Sequence, residues 1–215
     1  MPAPTRDSSR TATLRQQPCR PASHATIHRI IEGATSAVLA TQQAAPRIAE
    51  IARRSQLARS AIYRYFPGRE AIRDAIFGCY VARRLDEYRA MLDTLPDDAD
   101  TRDICATTAM AILRASTAAS LGPLSRHIRA QFVEYAQRND RPLVRGMAGV
   151  LSAFLEQRDH LRQHRVTVDE LLAVGMALKD MVELLALDDQ SALSEADTAH
   201  KLTDFLHRAL FQRAG

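Results

Sequence analysis

Residues 46–72 of the chain read PRIAEIARRSQLARSAIYRYFPGREAI, and this stretch decides the fold. Apolar residues recur at helical spacing on both sides of Ser55-Gln56-Leu57, which predicts a short helix at residues 47–53 and a second one after the turn. Pro67-Gly68 breaks the pattern and ends the second helix. Two short helices joined by a turn of about three or four residues form a helix-turn-helix.

The second helix of this motif is the candidate for contact with DNA bases, because in a helix-turn-helix it enters the major groove. Arginine can bond guanine there, serine can bond a donor or an acceptor, and an alanine methyl can touch the thymine methyl. Four apolar side chains are expected to fix the angle between the two helices: Ile48, Ile51, Leu57 and Ile62. The residues predicted to face outward are Arg59, Ser60, Ala61, Tyr63 and Arg64.

Three further residues flank the second helix and are candidates for phosphate contacts. Arg47 precedes the first helix, where backbone N–H groups and the helix dipole also favour an anion. Tyr65 and Arg69 lie on the far side of the motif. Such contacts hold the protein in register on the duplex and carry no direct sequence information.

The rest of the chain is predicted to be helical, so the fold class is all-α. Residues 1–24 are rich in Pro, Ser, Thr and Arg and are expected to form a flexible arm, which is either a solvated tail or a further DNA contact. A helix with an apolar face follows from Ala25, with Ser23 as its candidate cap. The later helices are predicted from about Arg69 to Leu95 and at 101–119, 124–138, 143–162, 167–187 and 195–212.

The charge of the chain is divided unevenly between its two parts. Residues 1–90 contain 15 arginines and 7 acidic residues, a net charge of +8. Residues 91–215 contain 14 basic and 18 acidic residues, a net charge of −4. This asymmetry indicates either that the first part alone meets a polyanion or that arginine simply decorates solvated surfaces.

The three cysteines (Cys19, Cys79 and Cys105) are far apart and predict neither a disulfide framework nor a zinc site. No metal and no cofactor are expected. The chain has no apolar run of the roughly 20 residues that a membrane span requires, and it begins without the apolar stretch of a signal peptide. We therefore expect a cytoplasmic protein without a membrane partner.

Residues 27–76 resemble the DNA-binding domain of TetR-type (tetracycline-repressor family) regulators. That family has Ile-Ala in its second helix, matched here by Ile51-Ala52. Its recognition helix ends in an aromatic pair and is followed by a small turn and a basic-acidic start of helix four. The matching segments here are Ile62-Tyr63-Arg64-Tyr65-Phe66 and Pro67-Gly68-Arg69-Glu70-Ala71-Ile72.

The resemblance implies a role for individual residues of the motif. Tyr63 and Tyr65 would contact phosphates, and Arg69 would stand where the family usually has a lysine. Arg59, Ser60 and Ala61 would face the bases. Phe66 would be structural and would pack the recognition helix onto helix four.

Three positions depart from the family pattern. Pro46-Arg47 stands where a threonine pair is usual, Gln56 where glycine is usual in the turn, and Ala58 where a serine or threonine caps the recognition helix. Gln56 is therefore expected either to adopt a positive φ, which is uncommon for a residue other than glycine, or to lie in a turn that differs locally from that of the family. The loss of a capping hydroxyl at Ala58 costs about 0.5–2 kcal/mol.

The resemblance also implies three parts: an arm at 1–24, a helix-turn-helix domain at 25–70, and a helical ligand-binding and dimerisation domain at 71–215. Large apolar side chains are candidates for a pocket that binds a small-molecule effector, or they are ordinary core: Met110, Phe132, Tyr135, Met147, Phe154 and Met176. The last two helices would pair with their copies in a homodimer, or pack within one subunit, through Leu171, Val174, Leu178, Val182, Leu185, Leu202, Phe205 and Leu206.

These features predict a ligand-responsive transcriptional regulator, a repressor that binds a palindromic DNA operator as a dimer and that a small apolar or amphipathic effector releases. Two alternatives belong to other classes: an all-helical enzyme, and a protein-interaction module that keeps the helix-turn-helix shape without binding DNA. Against an enzyme, the sequence has no nucleotide-binding loop, no paired metal-ligand motif and no nucleophile with an identifiable base. The basic first part and Arg59 and Arg64 argue against the interaction module.

Overall fold

The computed structural model describes residues 21–116, 126–139, 141–161, 167, 169–170, 173–174 and 195–212. Every regular element in these residues is helical, which confirms the all-α fold class. The α-helices are α1 (Pro21–Thr41), α2 (Ile48–Ser55), α3 (Arg59–Tyr65), α4 (Arg69–Asp93), α5 (Thr101–Ser116), α6 (Arg126–Arg138), α7 (Pro142–Glu156) and α8 (Glu195–Phe211). A short 3₁₀ helix, Asp159–Leu161, follows α7.

The described residues form two compact units, and α4 contributes to both. The first unit contains the residues up to Cys79 together with those of α6. The second contains the remainder of α4 with α5, α7 and α8. The first unit therefore extends beyond residue 70, where we expected the DNA-binding domain to end, and it includes a later helix.

The core of the first unit is built from the apolar faces of its first helices. From α1 come Ile30, Ala34 and Ala37, and α2 adds Ile51, all of them fully buried. Residues of α3 and the start of α4 complete the same cluster: Ile62, Tyr65, Phe66 and Ile72. Ile48 and Leu57 pack against it while partly exposed, so all four apolar residues expected to join the two short helices do so.

Helix α6 joins the first unit through aromatic side chains. The ring of Phe77 on α4 meets that of Phe132 edge-on, with centroids 5.2 Å apart, and that of Tyr135 at 5.4 Å. One turn before Phe77 on α4, the Asp74 carboxylate lies 3.4 Å from the Arg138 guanidinium at the end of α6. Both contacts lie along one face of each helix, which explains why α6 belongs with this unit.

The second unit has its own apolar core, in which α8 packs along α5. Leu202, Leu206 and Leu210 recur every fourth residue on α8 and are all buried. The buried Tyr88 hydroxyl and Thr108 Oγ1 are 2.8 Å apart, so the one polar group that Tyr88 brings into this core has a hydrogen-bond partner. The same cluster contains the buried Cys105, whose pKa burial raises to about 12.

The structure corrects two predicted helix boundaries. Helix α1 begins at Pro21, so Ser23 lies inside the helix and is not its cap. Proline suits the first position of a helix, because its missing N–H would have no partner there. The helix predicted at 143–162 ends at Glu156, and Arg158 then donates to the carbonyls of Leu95 and Pro96 at 3.2 and 3.3 Å.

Residues 1–20 of the predicted arm and most of the predicted helix at 167–187 lie outside the described residues. Within the part of the chain that the structure describes, no helix has the length and apolarity needed to cross a membrane.

Candidate nucleic-acid interface

Helices α2 and α3 are joined by a tight turn at Gln56, Leu57 and Ala58. Gln56 has φ 54° and ψ 42°, in the left-handed region, which is the first of the two alternatives that the sequence left open. The Leu57 N–H donates to the Ala52 carbonyl at 3.0 Å, and the Gln56 N–H donates to the Arg53 carbonyl at 3.4 Å. This pattern is a Schellman motif with glutamine at the position that glycine usually occupies.

Two residues of α1 contact the end of α2 at this turn. The Arg29 guanidinium donates to the Ser55 carbonyl at 2.9 Å and to the Gln56 carbonyl at 3.4 Å. One turn further along α1, a Cβ on Gly33 would lie 2.8 Å from both Cβ and N of Ser55, closer than real Cβ atoms approach. A side chain at Gly33 is therefore excluded by the packing of α1 on α2.

Helix α3 presents a polar outer surface. Arg59, Ser60 and Arg64 are exposed, Ala61 is partly exposed, and 46% of Tyr63 is exposed. Ala58, the residue before the helix, has extended backbone angles and provides no side-chain cap. Because the buried side of α3 carries Ile62, the outer residues are held facing away from the core. All five residues expected to face outward are accessible.

Tyr65 lies on the other side of α3 from Tyr63. Only 6% of it is exposed, and its ring belongs to the core of the first unit. The Tyr65 hydroxyl lies beside the start of α1, where it accepts a hydrogen bond from Ser23. That hydrogen bond and, after it, the positive charge of Arg64 lower the pKa of the hydroxyl. This burial argues against the direct phosphate contact expected for Tyr65 and indicates a structural role, with Arg64 stacked 5.0 Å over the ring.

The other two candidates for phosphate contacts are exposed on either side of α3. Arg47 is the N-cap residue of α2, where its backbone is extended. Arg69 is the first residue of α4, and its Nε lies 3.6 Å from the Glu70 carboxylate. Within the described part of the chain, neither Arg47 nor Arg59 has an ion pair or side-chain hydrogen bond, so both guanidinium groups are available to an anion.

Two arginines of α2 are engaged within the protein. Arg53 donates to the Glu50 carboxylate at 2.7 Å, and Arg54 bonds both Glu50 and Ser36 Oγ, the latter at 2.9 Å. Hydrogen bonds from Arg53 and Arg54 lower the pKa of Glu50 to about 2. Glu50 is therefore ionised throughout the physiological range and holds these two arginines along α2.

Comparison with protein families adds an independent observation. Residues 43–76 match the family model of bacterial regulatory proteins, tetR family. The chain carries a TetR-family DNA-binding domain. It is thus a DNA-binding transcriptional regulator, and the matched region contains α2, the turn and α3. A comparison with curated proteins gives no match to the chain.

All eight candidate DNA-contact residues lie inside the segment that matches the TetR family. So do Gln56 and Ala58, which depart from the family pattern but occupy the turn and the cap position as expected. Arg29 and Gly33 precede the match, and the sequence reasoning missed both. An isolated glycine in an apolar helical pattern signals close packing, and Gly33 could have been found in this way. No comparable signal identifies Arg29.

The candidates for the effector pocket are divided between the two units. Phe132 and Tyr135 belong to the first unit, in contact with Phe77. Met110 and Met147 pack against the core of the second unit, and Phe154 is buried within it. Met176 lies outside the described residues.

The candidates for the dimer interface have different surroundings. Leu202 and Leu206 are buried in the core of their own subunit, whereas Phe205 is 38% exposed on the outer side of α8. Val174 packs partly buried against the same core. The remaining candidates lie outside the described residues: Leu171, Leu178, Val182 and Leu185.

Proposed function

We propose that this regulator is a repressor that binds a palindromic operator as a dimer and is released by a small apolar or amphipathic effector. The observation that carries the DNA-binding part is the outer surface of α3, where Arg59, Ser60 and Tyr63 are exposed on a helix whose other side is fixed in the core. Arg47 and Arg69 flank this surface. Arg59 and Ser60 would contact bases. Tyr63, Arg47 and Arg69 would contact phosphates, which is the division of labour that such a motif uses.

The direct test is selection of bound fragments from a random pool of double-stranded DNA. A dimer with two recognition helices should enrich a sequence with two inverted half-sites separated by about one helical turn, 34–36 Å, or a multiple of it. Recovery of a symmetric sequence supports both the DNA contact and the two-fold arrangement. If no sequence is enriched, the proposed specific binding to an operator is wrong. If a single asymmetric site is enriched, the proposed binding as a dimer is wrong.

The exchanges Arg59→Ala and Arg69→Ala are expected to have different effects on the selected DNA. Arg59→Ala should cost about 1–3 kcal/mol of binding and relax the preference at one base of each half-site. Arg69→Ala should weaken binding to all sequences alike and reduce the slope of log K against log salt by about 1.8, since one phosphate contact is lost in each subunit of the dimer. Fluorescence anisotropy with matched and mismatched duplexes at several salt concentrations measures both quantities. An unchanged base preference in Arg59→Ala would show that α3 is not placed in the groove as proposed.

The proposed dimer uses the outer side of α8. Leu202 and Leu206 already pack within the subunit, whereas Phe205 is a large apolar residue of this helix that is exposed to a partner. Lys201, Asp204 and Arg208 lie around it. An exposed aromatic ring bordered by charges of both signs suits a self-complementary contact, in which each copy presents the same patch to the other.

Replacing Phe205 by aspartate is expected to shift the protein toward the monomer, because two carboxylates would meet across the two-fold axis. Operator affinity should fall with it, since one subunit reads only one half-site. Sedimentation velocity over a concentration series and anisotropy on the full palindrome measure the two effects. Leu39→Asp, which changes an equally exposed apolar residue of α1, is the matched control and should leave the dimer intact. A Phe205→Asp protein that remains dimeric would exclude this face of α8.

Release by an effector is proposed from the family resemblance and from the helical second unit. Partly buried methionines such as Met110 and Met147 pack against its core, and methionine adapts readily to irregular apolar partners. Helix α4 is continuous from Arg69 to Asp93 and contributes to both units, so it offers a physical link between effector and DNA. An effector that weakens DNA binding must itself bind more weakly when DNA is present, by the same factor.

A further inference from the structure

The contact between Arg29 and the end of α2 has a consequence for DNA recognition. Ser55 is the last residue of α2, and Gln56 is the left-handed residue of the turn. Their carbonyls point away from the helix after its hydrogen-bonded ladder has ended, and the Arg29 guanidinium donates to both, at 2.9 and 3.4 Å. A cation at the C-terminus of a helix is also favoured by the helix dipole.

Glutamine at the left-handed position destabilises this turn, whereas the hydrogen bonds from Arg29 stabilise it. A residue with a Cβ is less stable than glycine at such backbone angles, and the αL region is rarely populated outside Gly, Asn and Asp. Ala58, at the other end of the turn, adds no side-chain hydrogen bond to hold the first turn of α3. Within the described residues, the turn is therefore closed by two backbone hydrogen bonds and by the two that Arg29 donates.

The close packing of α1 at Gly33 brings Arg29 within hydrogen-bonding distance of the Ser55 carbonyl. The two residues are four apart on α1, so they lie on the same face of the helix. At Gly33 the helix approaches Ser55 so closely that even a Cβ would lie 2.8 Å from its backbone nitrogen. One turn earlier, the side chain of Arg29 spans the remaining distance to the carbonyl of the same Ser55.

We propose that Arg29 is a positioning residue for DNA recognition: it holds the Gln56 turn in its left-handed form and so sets the direction in which α3 presents Arg59 and Tyr63. This proposal deepens the proposed function and rests on it. Arg29 acts through the turn and not by touching DNA. Its loss should therefore lower affinity for the operator much more than affinity for unrelated DNA.

The test uses four full-length variants: Arg29→Ala, Gln56→Gly, the double variant, and Arg83→Ala. The last removes an exposed arginine from the second unit, where it pairs with Glu87 at 3.0 Å, and so controls for net charge. Each is titrated against the duplex that the wild type selects from random DNA and against a duplex of scrambled sequence. We expect Arg29→Ala to raise Kd for the selected duplex about ten-fold, the scale of one lost hydrogen bond to a charged group.

The decisive comparison is rescue. Glycine at position 56 adopts the left-handed region without strain, so the double variant should recover most of the lost affinity although it still lacks the arginine. In Arg29→Ala and in the double variant, the slope of log K against log salt should equal that of the wild type. No rescue, or a slope lower by about 1.8 as for one lost phosphate contact in each subunit, would overturn the proposal. An equal loss of affinity in Arg83→Ala would overturn it as well, because the effect would then be one of net charge.

Hydrogen exchange separates this proposal from the function on which it rests. The Gln56 and Leu57 N–H groups are hydrogen-bonded in the turn and should exchange faster in Arg29→Ala and slowly again in the double variant. If the wild type selects no DNA at all, the proposed operator binding fails, and this measurement still decides whether Arg29 holds the turn. Unchanged exchange at these two amides would overturn the positioning role.

Discussion

Phe66→Ala is expected to destabilise the first unit by about 3–5 kcal/mol, the cost of removing a buried phenylalanine from a core. Phe66 is 2% exposed and lies in the same cluster as Ile62 and Ile72. It follows α3 directly, and its N–H closes the end of that helix on the Ile62 carbonyl at 2.9 Å. Truncation would leave a cavity where α3 meets the start of α4, so DNA binding should fall together with stability.

Urea unfolding followed by circular dichroism measures the change, since the chain contains no tryptophan to report by fluorescence. Hydrogen exchange of peptides from α1, α2 and α3 assigns the loss to the first unit, because the protein has two compact units that need not unfold together. A Phe66→Ala protein within about 1 kcal/mol of the wild type would show that this ring does not hold α3.

Tyr63→Ala is the matched control on the same helix. Its ring is 46% exposed, so its removal should change stability by no more than about 0.5 kcal/mol. It should nonetheless weaken DNA binding, because Tyr63 lies on the proposed contact surface. The two variants therefore distinguish destabilisation of the first unit from loss of a DNA contact. Phe66→Ala should lower both stability and DNA affinity, whereas Tyr63→Ala should lower DNA affinity alone.

Helical periodicity was sufficient to predict the helices and most of the core. The buried Ile51 and Ile62 and the leucine stripe of α8 all follow from spacing in the sequence. The same periodicity could have separated Tyr63 from Tyr65. Successive residues of an α-helix are rotated by about 100°, so two residues two positions apart point in nearly opposite directions. The two rings therefore lie on opposite sides of α3, with Tyr63 exposed and Tyr65 buried.

Periodicity cannot determine which neighbour an apolar stripe packs against. Leu202 and Leu206 are buried within their own subunit, while Phe205 between them is partly exposed. A stripe that meets α5 and a stripe that meets a second copy have the same spacing. The choice depends on where the other helices lie, which is a property of the tertiary structure.

Contacts between a side chain and a distant backbone are similarly invisible in the sequence. The positive φ of Gln56 was one of two alternatives that the sequence offered, because glycine is usual at that position in the family. The group that offsets its cost was not expected, since Arg29 is separated from Ser55 by 26 positions and contacts only a carbonyl. Any residue type presents a carbonyl, so neither the identity of Ser55 nor that of Gln56 points to Arg29.

Gly33→Ala should destabilise the first unit by about 1–3 kcal/mol, although alanine is the better helix former. The added Cβ would lie 2.8 Å from the Cβ and the nitrogen of Ser55, and a backbone atom cannot rotate away. Helix α1 must therefore move off α2. That movement also lengthens the Arg29 contact one turn earlier, so operator binding should weaken beyond the fraction of protein that unfolds.

Gly149→Ala makes the same chemical change in a helix with open space around it. Apart from its own helix, no atom of the described residues lies within 4 Å of the position where its Cβ would stand on α7. Helix propensity alone should then stabilise the protein, by about 0.5–1 kcal/mol. The two exchanges are thus expected to move the urea midpoint in opposite directions and to differ by roughly 1.5–4 kcal/mol. Equal shifts would mean that α1 and α2 can separate at Gly33 without cost, and the packing that brings Arg29 to the turn would then not be a constraint on DNA recognition.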